Sequence, residues 1–360
     1  MTRILHLAES RVVGAASAAV PAPRCTLDFQ TQRCLEYLSQ RLGDGFDVEL
    51  ATVRGLLATI RYLRTRRDVD VAHVWDSQSL TAAALGFRCR ILYTPPAELR
   101  LREVRWLRAI MAYRDLHVLC PTTTMHRALI ARGIAPDRCT IIRPGVDFAR
   151  INQCKNPQLR QSLGFSPDDC VLLAVGESTP SANHDQAAWA AAILQVLNPR
   201  YKLLLWGRGG RVPAIKHFTR RVTPGTLLHI AEERLRRAID FEHLLSVADI
   251  ALHTATTSAA TLPLAICMAA GIPIVSTVTS AAAELLEDHH TAIFAPRNSP
   301  RILAQHILQL QEDRALQLKL SAAARAEAYR LFPLTKFLAD HRDVYQRGCL
   351  HAPLTVALSS

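Results

Sequence analysis

Residues 248–296 read ADIALHTATTSAATLPLAICMAAGIPIVSTVTSAAAELLEDHHTAIFAP, and this stretch decides the fold. Apolar runs alternate with turn residues, which predicts strand, helix, strand, helix and strand in turn. The first helix is expected to open between Thr261 and Pro263 and to end at Gly271, because Thr caps helix starts, Pro is tolerated in a first turn and Gly ends helices. In an open parallel sheet, the loop before such a helix lies beyond the carboxyl ends of the strands, where ligands bind. The N–H groups at the helix start favour an anion there.

The rest of the chain continues this alternation of strands and helices on both sides of a polar segment. That segment, residues 147–158, has the character of a hinge. Alternation of this kind indicates βαβ units and parallel sheets, so we predict an α/β protein. A chain of 360 residues is long for one core and suits two domains, at residues 1–150 and 151–332. A helix at 333–347 and a patternless tail at 348–360 follow them.

Two parts of the stretch 248–296 resemble the donor-binding region of the family 4 (group 1) glycosyltransferases. Residues 267–275 follow the family's Ala-Met-Ala-x-Gly-x-Pro-Val-Val segment. Residues 284–296 follow its Pro-Glu-x-x-x-Asp-Gly-x-Thr-Gly pattern at the same spacing. In the first half, residues 70–73 are similar to the family's Asp-Val-Val-His strand end, and residues 129–147 are similar to the end of its N-terminal domain.

The resemblance covers about residues 1–347 and carries the family's properties as expectations. It implies the GT-B architecture, two Rossmann-like parallel-sheet domains that face each other across a cleft. The first domain would be the acceptor side and the second the nucleotide-sugar side, with the 333–347 helix crossing back to the first. The implied reaction moves a sugar, typically a hexose, from a nucleotide-sugar to an unknown carbohydrate or lipid-linked acceptor with retention. No cofactor and no obligatory metal is implied.

The positions that carry the family's chemistry hold other residues here. Ser258 and Ile266 stand in place of the two motif glutamates, and Pro96 in place of the acceptor-side histidine. The Arg of the family's diphosphate clamp is Glu177, and its Lys falls among residues 182–184, which are Ala, Asn and His. Arg and Lys suit that task because phosphate oxygens accept charge-assisted hydrogen bonds. The catalytic motif is therefore degenerate.

The candidate site residues lie where strands end or helices begin. Each of them can also be explained by structure alone. The glycines can form tight turns, His73 can be a packed side chain and Glu284 an exposed acid. Arg208, or Arg211 as the other possible substitute for the clamp base, can be a solvated arginine. The catalytic candidates are His73 and Glu284. The donor-binding candidates are Gly14, Gly176, Glu177, Gly207, Arg208, Thr257, Ser258, Thr261 and Glu284.

With the clamp residues replaced, we expect a donor to bind mainly through backbone groups of residues 256–261 and of Gly176 and Gly207. Affinity should be low and only weakly dependent on salt. On the sequence alone, Glu177→Arg should tighten nucleotide binding by restoring a charged partner.

The charge balance favours an anionic partner. Lys and Arg number 43 against 31 Asp and Glu, which gives a net charge of +12. A nucleoside diphosphate or an acidic membrane fits this charge. No basic motif with interleaved aromatic residues is present, so we expect no nucleic-acid partner.

Cysteine usage and the N-terminus indicate a cytoplasmic protein. The nine cysteines are scattered without CxxC pairs, which predicts reduced thiols with no catalytic or metal role. The opening MTRILHLAES turns polar too early for a signal peptide. The uncharged span 250–283 is interrupted by Pro263, Gly271 and Pro273, so it is expected to be buried α/β core and not a membrane span.

A basic helix is predicted at residues 97–113. It places arginines around an apolar stripe of Val104, Leu107 and Ile110. One interpretation is an amphipathic helix packed on the first sheet. The other is docking to an anionic surface at the inner membrane face.

Two function classes stay open at this point. The first is the glycosyltransferase, and the second is a catalytically inactive GT-B relative that acts as a binding or scaffold protein. Glu177, Ser258, Ile266 and Pro96 favour the second class, because fold alone does not establish activity. A sugar-nucleotide epimerase of the same fold has no specific motif here.

Overall fold

The structure is a computed structural model that describes residues 1–9, 27–53, 55–223, 227–257 and 261–349. Two of the predicted donor-binding residues, Gly14 and Ser258, lie outside these ranges.

The chain divides into two compact units. The first unit holds residues 1–9, 31–143 and 335–349, and the second holds 27–30 and 144–334. Each is built on one six-stranded sheet.

The sheet of the first unit is parallel throughout. Its order is β2-β1-β3-β4-β5-β6. The strands are β1 (Thr2–Glu9), β2 (Phe46–Val53), β3 (Val71–Val74), β4 (Arg90–Tyr93), β5 (Leu116–Cys120) and β6 (Cys139–Ile141).

The sheet of the second unit is also parallel throughout. Its order is β12-β11-β10-β7-β8-β9. The strands are β7 (Cys170–Ala174), β8 (Tyr201–Leu205), β9 (Leu228–Ile230), β10 (Ile250–His253), β11 (Ile274–Thr277) and β12 (Ile293–Ala295).

Helices connect most of these strands, and a 3-10 turn at Pro136–Arg138 precedes β6. The helices in chain order are α1 (Phe29–Arg41), α2 (Leu56–Thr65), α3 (Ser77–Gly86), α4 (Leu101–Tyr113), α5 (Thr123–Ala131), α6 (Phe148–Gln153), α7 (Leu159–Ser162), α8 (His184–Leu197), α9 (Val212–Val222), α10 (Ala231–Leu235), α11 (Phe241–Leu244), α12 (Thr261–Ala270), α13 (Ser280–Leu285), α14 (Pro300–Glu312), α15 (Arg314–Leu331) and α16 (Leu334–Cys349).

Both faces of the second sheet are covered, which explains the uninterrupted apolar sequence of β7. Neighbouring residues of one strand enter different cores: Leu173 belongs to one hydrophobic cluster and Leu172 to the other. Side chains alternate across a strand, so a sheet with helices on both faces needs apolar residues at every position. The α/β class with parallel sheets, predicted from this pattern, is confirmed.

Helix α16 packs within the first unit. The Arg342 Nε atom donates to the carbonyl oxygen of Leu42 at 2.5 Å, and Tyr345 is fully buried. Of the helices in the described ranges, none combines the length and the apolar character needed to cross a bilayer.

Some segments differ from the expected elements, as two examples show. The polar stretch 147–158 was expected to be a linker, but the chain forms α6 there, because the Asp147 side chain accepts the N–H of Arg150 and caps the helix. Helix α9, between β8 and β9, was not anticipated. Polar and apolar residues alternate irregularly in its sequence, but Val212, Ile215 and Thr219 recur at helical spacing and form its buried side.

Candidate functional site

The second sheet has a topological switch point between β7 and β10. From β7 the chain moves outward through β8 and β9, then returns to β10 and moves outward the other way. The loops after β7 and β10 therefore diverge and leave a crevice at the carboxyl ends of these strands, the usual ligand position in such sheets. Gly176 lies in the first loop, and α12 follows the second.

Gly176 fits this crevice through its lack of a side chain. Its φ of +83° is one that other residues rarely adopt, and an added Cβ would lie 3.2 Å from the Pro263 Cγ atom. The main chain after β7 thus passes close to the first turn of α12. This contact explains why glycine stands here.

The first turn of α12 offers backbone donors at the crevice. Thr261 begins the helix and is buried, while Thr257 in the preceding loop is exposed. The Leu262 N–H donates to the Gln30 Oε1 atom at 3.0 Å, and the Thr261 hydroxyl lies 3.4 Å from the same oxygen. A side-chain carbonyl therefore already accepts from this helix start, whose dipole suits an acceptor or an anion.

The loops after β7 and β8 are locked together. The Ser178 N–H donates to the Arg208 carbonyl at 2.8 Å, and the Arg211 N–H donates to the Ser178 carbonyl at 2.9 Å. Gly209, with φ of +107°, allows this approach, because a Cβ there would lie 2.6 Å from the Ser178 backbone nitrogen. Residues on the two loops are therefore held in fixed relative positions.

Two acids and one base meet where these loops join. The Arg208 Nη2 atom lies 3.0 Å from the Glu177 Oε1 atom and donates to the Leu27 carbonyl at 2.7 Å. The Gly207 N–H donates to the Glu232 Oε2 atom at 2.5 Å, and burial raises the pKa of Glu232. Sequence reasoning missed Glu232, since no spacing links it to Gly207.

The stretch that replaces the clamp lysine supplies no cation. His184, the first residue of α8, is buried, with Nε2 3.2 Å from the Val175 carbonyl and Nδ1 2.9 Å from the Ser178 hydroxyl. A carbonyl oxygen only accepts, so Nε2 carries the proton and Nδ1 accepts from Ser178. Burial lowers the pKa of His184 to about 4, so the ring is neutral at pH 7 and stabilises the loop.

Other predicted site residues lie in different surroundings. Glu284 is half-buried on α13, whose start is capped by the Thr279 hydroxyl. Ile266, at the second motif-glutamate position, is buried inside α12.

His73 is fully buried in the first unit, with both ring nitrogens hydrogen-bonded. Nδ1 lies 2.7 Å from the Tyr345 hydroxyl and Nε2 lies 2.8 Å from the Thr94 hydroxyl. Burial lowers the pKa of His73 well below its ordinary value. These contacts suit a structural histidine, and they give no support to the prediction that His73 is catalytic.

A metal centre was not expected from the sequence. Within the described ranges, no cluster of three or more His, Cys, Asp or Glu side chains is arranged to hold a metal ion.

Comparison with known proteins gives likenesses over most of the chain. The sequence profile of the glycosyl transferases group 1 matches residues 155–327, and that of glycosyltransferase family 4 matches residues 21–150. A relative named as a glycosyltransferase, EpsD of Bacillus subtilis (strain 168), is 23% identical to this chain. The match covers 198 residues, which is 55% of this chain. The match spans about half of that relative, 51% of its length.

Solved structures share the fold at low sequence identity. HepE of Anabaena, in complex with UDP and glucose, has a TM-score of 0.75 and 16% identity, over 96% of this chain and 100% of that one. A glycosyltransferase from Rickettsia africae ESF-5 has a TM-score of 0.72 and 16% identity, over 98% and 99%. With the two parallel sheets, these likenesses establish the fold as GT-B. The two profiles together span nearly the whole chain, which therefore belongs to the group 1, or family 4, glycosyltransferases.

Proposed function

We propose that this protein transfers a sugar from a nucleotide-sugar donor to an acceptor hydroxyl with retention of configuration. The observation that carries the proposal is the crevice at the β7–β10 switch point. There the main chain at Gly176 passes so close to α12 that a Cβ added at Gly176 would contact Pro263. Family membership and the UDP bound by HepE support the nucleotide-sugar as ligand.

The chemistry needs a stabilised leaving group more than a strong base. The bond between the anomeric carbon and the diphosphate oxygen breaks, the acceptor oxygen bonds on the same face, and its proton passes to the departing diphosphate. The negative charge on that diphosphate is stabilised by the dipole at the start of α12 and by the Leu262 N–H, once the donor displaces the Gln30 side chain from it. Such groups need no acidic side chain at the position of Ile266.

Nucleotide binding and sugar transfer can be tested separately. The full chain is titrated with UDP, GDP and ADP by calorimetry, and the corresponding nucleotide-sugars are assayed for transfer or slow hydrolysis. Binding with turnover supports the proposal. Binding without turnover would favour an inactive relative that still binds the nucleotide. No binding of any nucleotide would overturn the transferase proposal and leave only the scaffold relative.

Gly176→Ala, which fills the crevice, is the informative variant. It should lower nucleotide affinity at least about ten-fold, because the new Cβ contacts Pro263. Gly164→Ala is its control, since Gly164 has nearly the same φ of +82° and no neighbouring atom within 4 Å. The control should show the same backbone strain without the loss of affinity.

The proposed acceptor is a carbohydrate or a lipid-linked sugar at the cytoplasmic side of a membrane. The observation that favours a lipid surface is α4: Val104, Leu107 and Ile110 are buried, while Trp106 and Tyr113 are 47% and 85% exposed. Exposed arginines accompany them on the outer face, at Arg102, Arg105 and Arg108. Exposed aromatic rings beside cationic groups suit the headgroup region of an anionic bilayer.

A further inference from the structure

We propose that Arg208 binds the donor's diphosphate and that the Glu177 carboxylate occupies its guanidinium until the donor displaces it. This rests on the proposed function and names the charged group of that site, which the family's motif does not place at this position.

Arg208 is held from three sides. Its guanidinium carbon lies 4.8 Å from the centre of the Trp206 ring, and its Nη2 atom contacts both the Leu27 carbonyl and Glu177. Trp206 is buried and its Nε1 atom donates to the Ile239 carbonyl at 2.8 Å, so the ring is a fixed platform. A guanidinium held over a fixed ring keeps its planar fork of N–H donors in one place, and such a fork suits bidentate binding of an oxyanion.

The position of Arg208 is set by the same backbone contacts that shape the crevice. Its own carbonyl accepts from Ser178, one residue beyond Glu177 and two beyond Gly176. Glu177 and Arg208 are 16% and 23% exposed, so the pair is largely withdrawn from water but open to a ligand. Arg208, on the loop after β8, thus lies beside the loop after β7. In the family, that second loop carries the clamp arginine.

The Glu177 carboxylate contacts the Arg208 guanidinium in the way that a phosphate group would. A carboxylate and a phosphate group both offer two acceptor oxygens to a guanidinium, but a diphosphate carries more negative charge. The donor therefore competes with Glu177 for Arg208, and the displaced carboxylate beside the diphosphate weakens binding. This reverses the expectation for Glu177→Arg, which would set a second guanidinium against Arg208 and remove its partner.

The neighbouring arginine provides a matched control. Arg211 pairs with Asp185 through two contacts, of 3.2 and 2.8 Å, on the same loop. Arg211 is thus an ion-paired arginine of the same β8 loop, but its carboxylate partner, Asp185, lies on α8 and not on the loop after β7.

The test is calorimetric titration of the full chain with UDP and with inorganic pyrophosphate. Arg208→Gln should weaken both ligands about ten-fold to a hundred-fold, the loss typical of a charged hydrogen bond, and should flatten the salt dependence. Glu177→Gln should tighten both by up to about ten-fold. Arg211→Gln should leave both unchanged. Thermal unfolding checks that each variant is folded, and Arg208→Lys, which keeps the charge but not the fork, should bind weakly if Arg208→Gln does not fold.

The outcomes separate the two proposals. If wild type binds UDP and Arg208→Gln binds it equally well, or if Arg211→Gln is the variant that weakens it, the assignment of Arg208 is wrong while the proposed function stands. Weaker binding by Glu177→Gln would show that the carboxylate supports the ligand and does not compete with it. If wild type binds neither UDP, GDP, ADP nor pyrophosphate, the proposed function fails and Arg208 loses its role with it.

Discussion

The Nδ1 atom of His73 lies 2.7 Å from the hydroxyl oxygen of Tyr345, so a buried polar contact joins β3 to α16. His6 and His341 lie beside His73, with ring centres 5.0 and 5.9 Å from it, and the Trp75 Nε1 atom donates to His6. Burial lowers the pKa of His6 to about 3 and of His341 to about 4, and that of His73 well below its ordinary value. The cluster is therefore neutral at pH 7.

This cluster predicts that acid destabilises the first unit. The folded pKa values are depressed, while the unfolded chain takes up protons near pH 6.5, so stability is complete above about pH 6.5 and falls as pH is lowered. Each histidine contributes a slope approaching about 1.4 kcal/mol per pH unit below that point. Urea unfolding between pH 8 and pH 5.5, where carboxylates stay ionised, measures it.

Two variants test this prediction. His341→Gln should reduce the slope by about one proton, since one of the three rings is gone. His6→Gln should reduce the slope by a similar amount, because burial lowers the pKa of His6 as well. A stability that does not change between pH 8 and pH 5.5 would contradict the prediction.

The lock between the loops after β7 and β8 predicts different effects for two adjacent glycines. Gly209→Ala places a Cβ against the Ser178 backbone at a φ of +107° and should cost at least about 2 kcal/mol in the free energy of unfolding. Gly210→Ala meets no atom within 4 Å and should change it by less than about 1 kcal/mol. Chemical denaturation compares the two, and equal effects would show that the loops are not locked.

The outer face of α4 predicts binding to anionic vesicles. Trp106→Ala combined with Arg105→Glu should reduce co-sedimentation with vesicles of phosphatidylglycerol and phosphatidylcholine several-fold, since each basic residue near the surface contributes about 1 kcal/mol. Added salt should weaken the wild-type interaction. Trp189→Ala is the control, because Trp189 is similarly exposed, at 55%, on α8 of the second unit. Wild-type binding that is equal for neutral and anionic vesicles would contradict the docking proposal.

The thiols provide a fourth prediction. Five described cysteines are free thiols, namely Cys89, Cys120, Cys139, Cys170 and Cys267, and all of these except Cys89 are buried. A thiol reagent should find nine thiols in denaturant, and burial, which raises the pKa of Cys170 to about 12, should make the reaction slow in the native protein. A count below nine without prior reduction would show a disulfide and would overturn the cytoplasmic assignment.

Much of the fold follows from the sequence because strand and helix periods are local. Apolar spacing in the sequence predicts a strand at residues 90–93 and a helix at residues 314–331, and these are β4 and α15 with the same bounds. The sequence also predicts a helix at residues 281–288. This helix is α13, which ends at Leu285, because Leu286 has an extended backbone. Propensity alone does not reveal that change, since Leu, Glu and Asp all occur in helices.

The site followed less completely, because its contacts join residues distant in the chain. Gly176 after β7 and Gly207 after β8 were predictable from their places after strands. That Glu177 lies beside Arg208, or that Gln30 occupies the start of α12, depends on how loops separated by 30 to 230 residues approach one another. No periodic pattern encodes such distances, so the replacement of the clamp arginine could be recognised from the sequence but its new partner could not.

The first unit is made of three separate chain segments, and the ribosome synthesises the last of them after the whole of the second unit. The second unit has all of its sequence once residue 334 has been made, whereas the first unit needs residues 335–349, which include the partner of His73. On the ribosome the half that is translated first therefore finishes folding last, against the usual N-terminal-first order. Until α16 emerges, the sheet face that carries His6 and His73 lacks its cover and is open to chaperones and proteases.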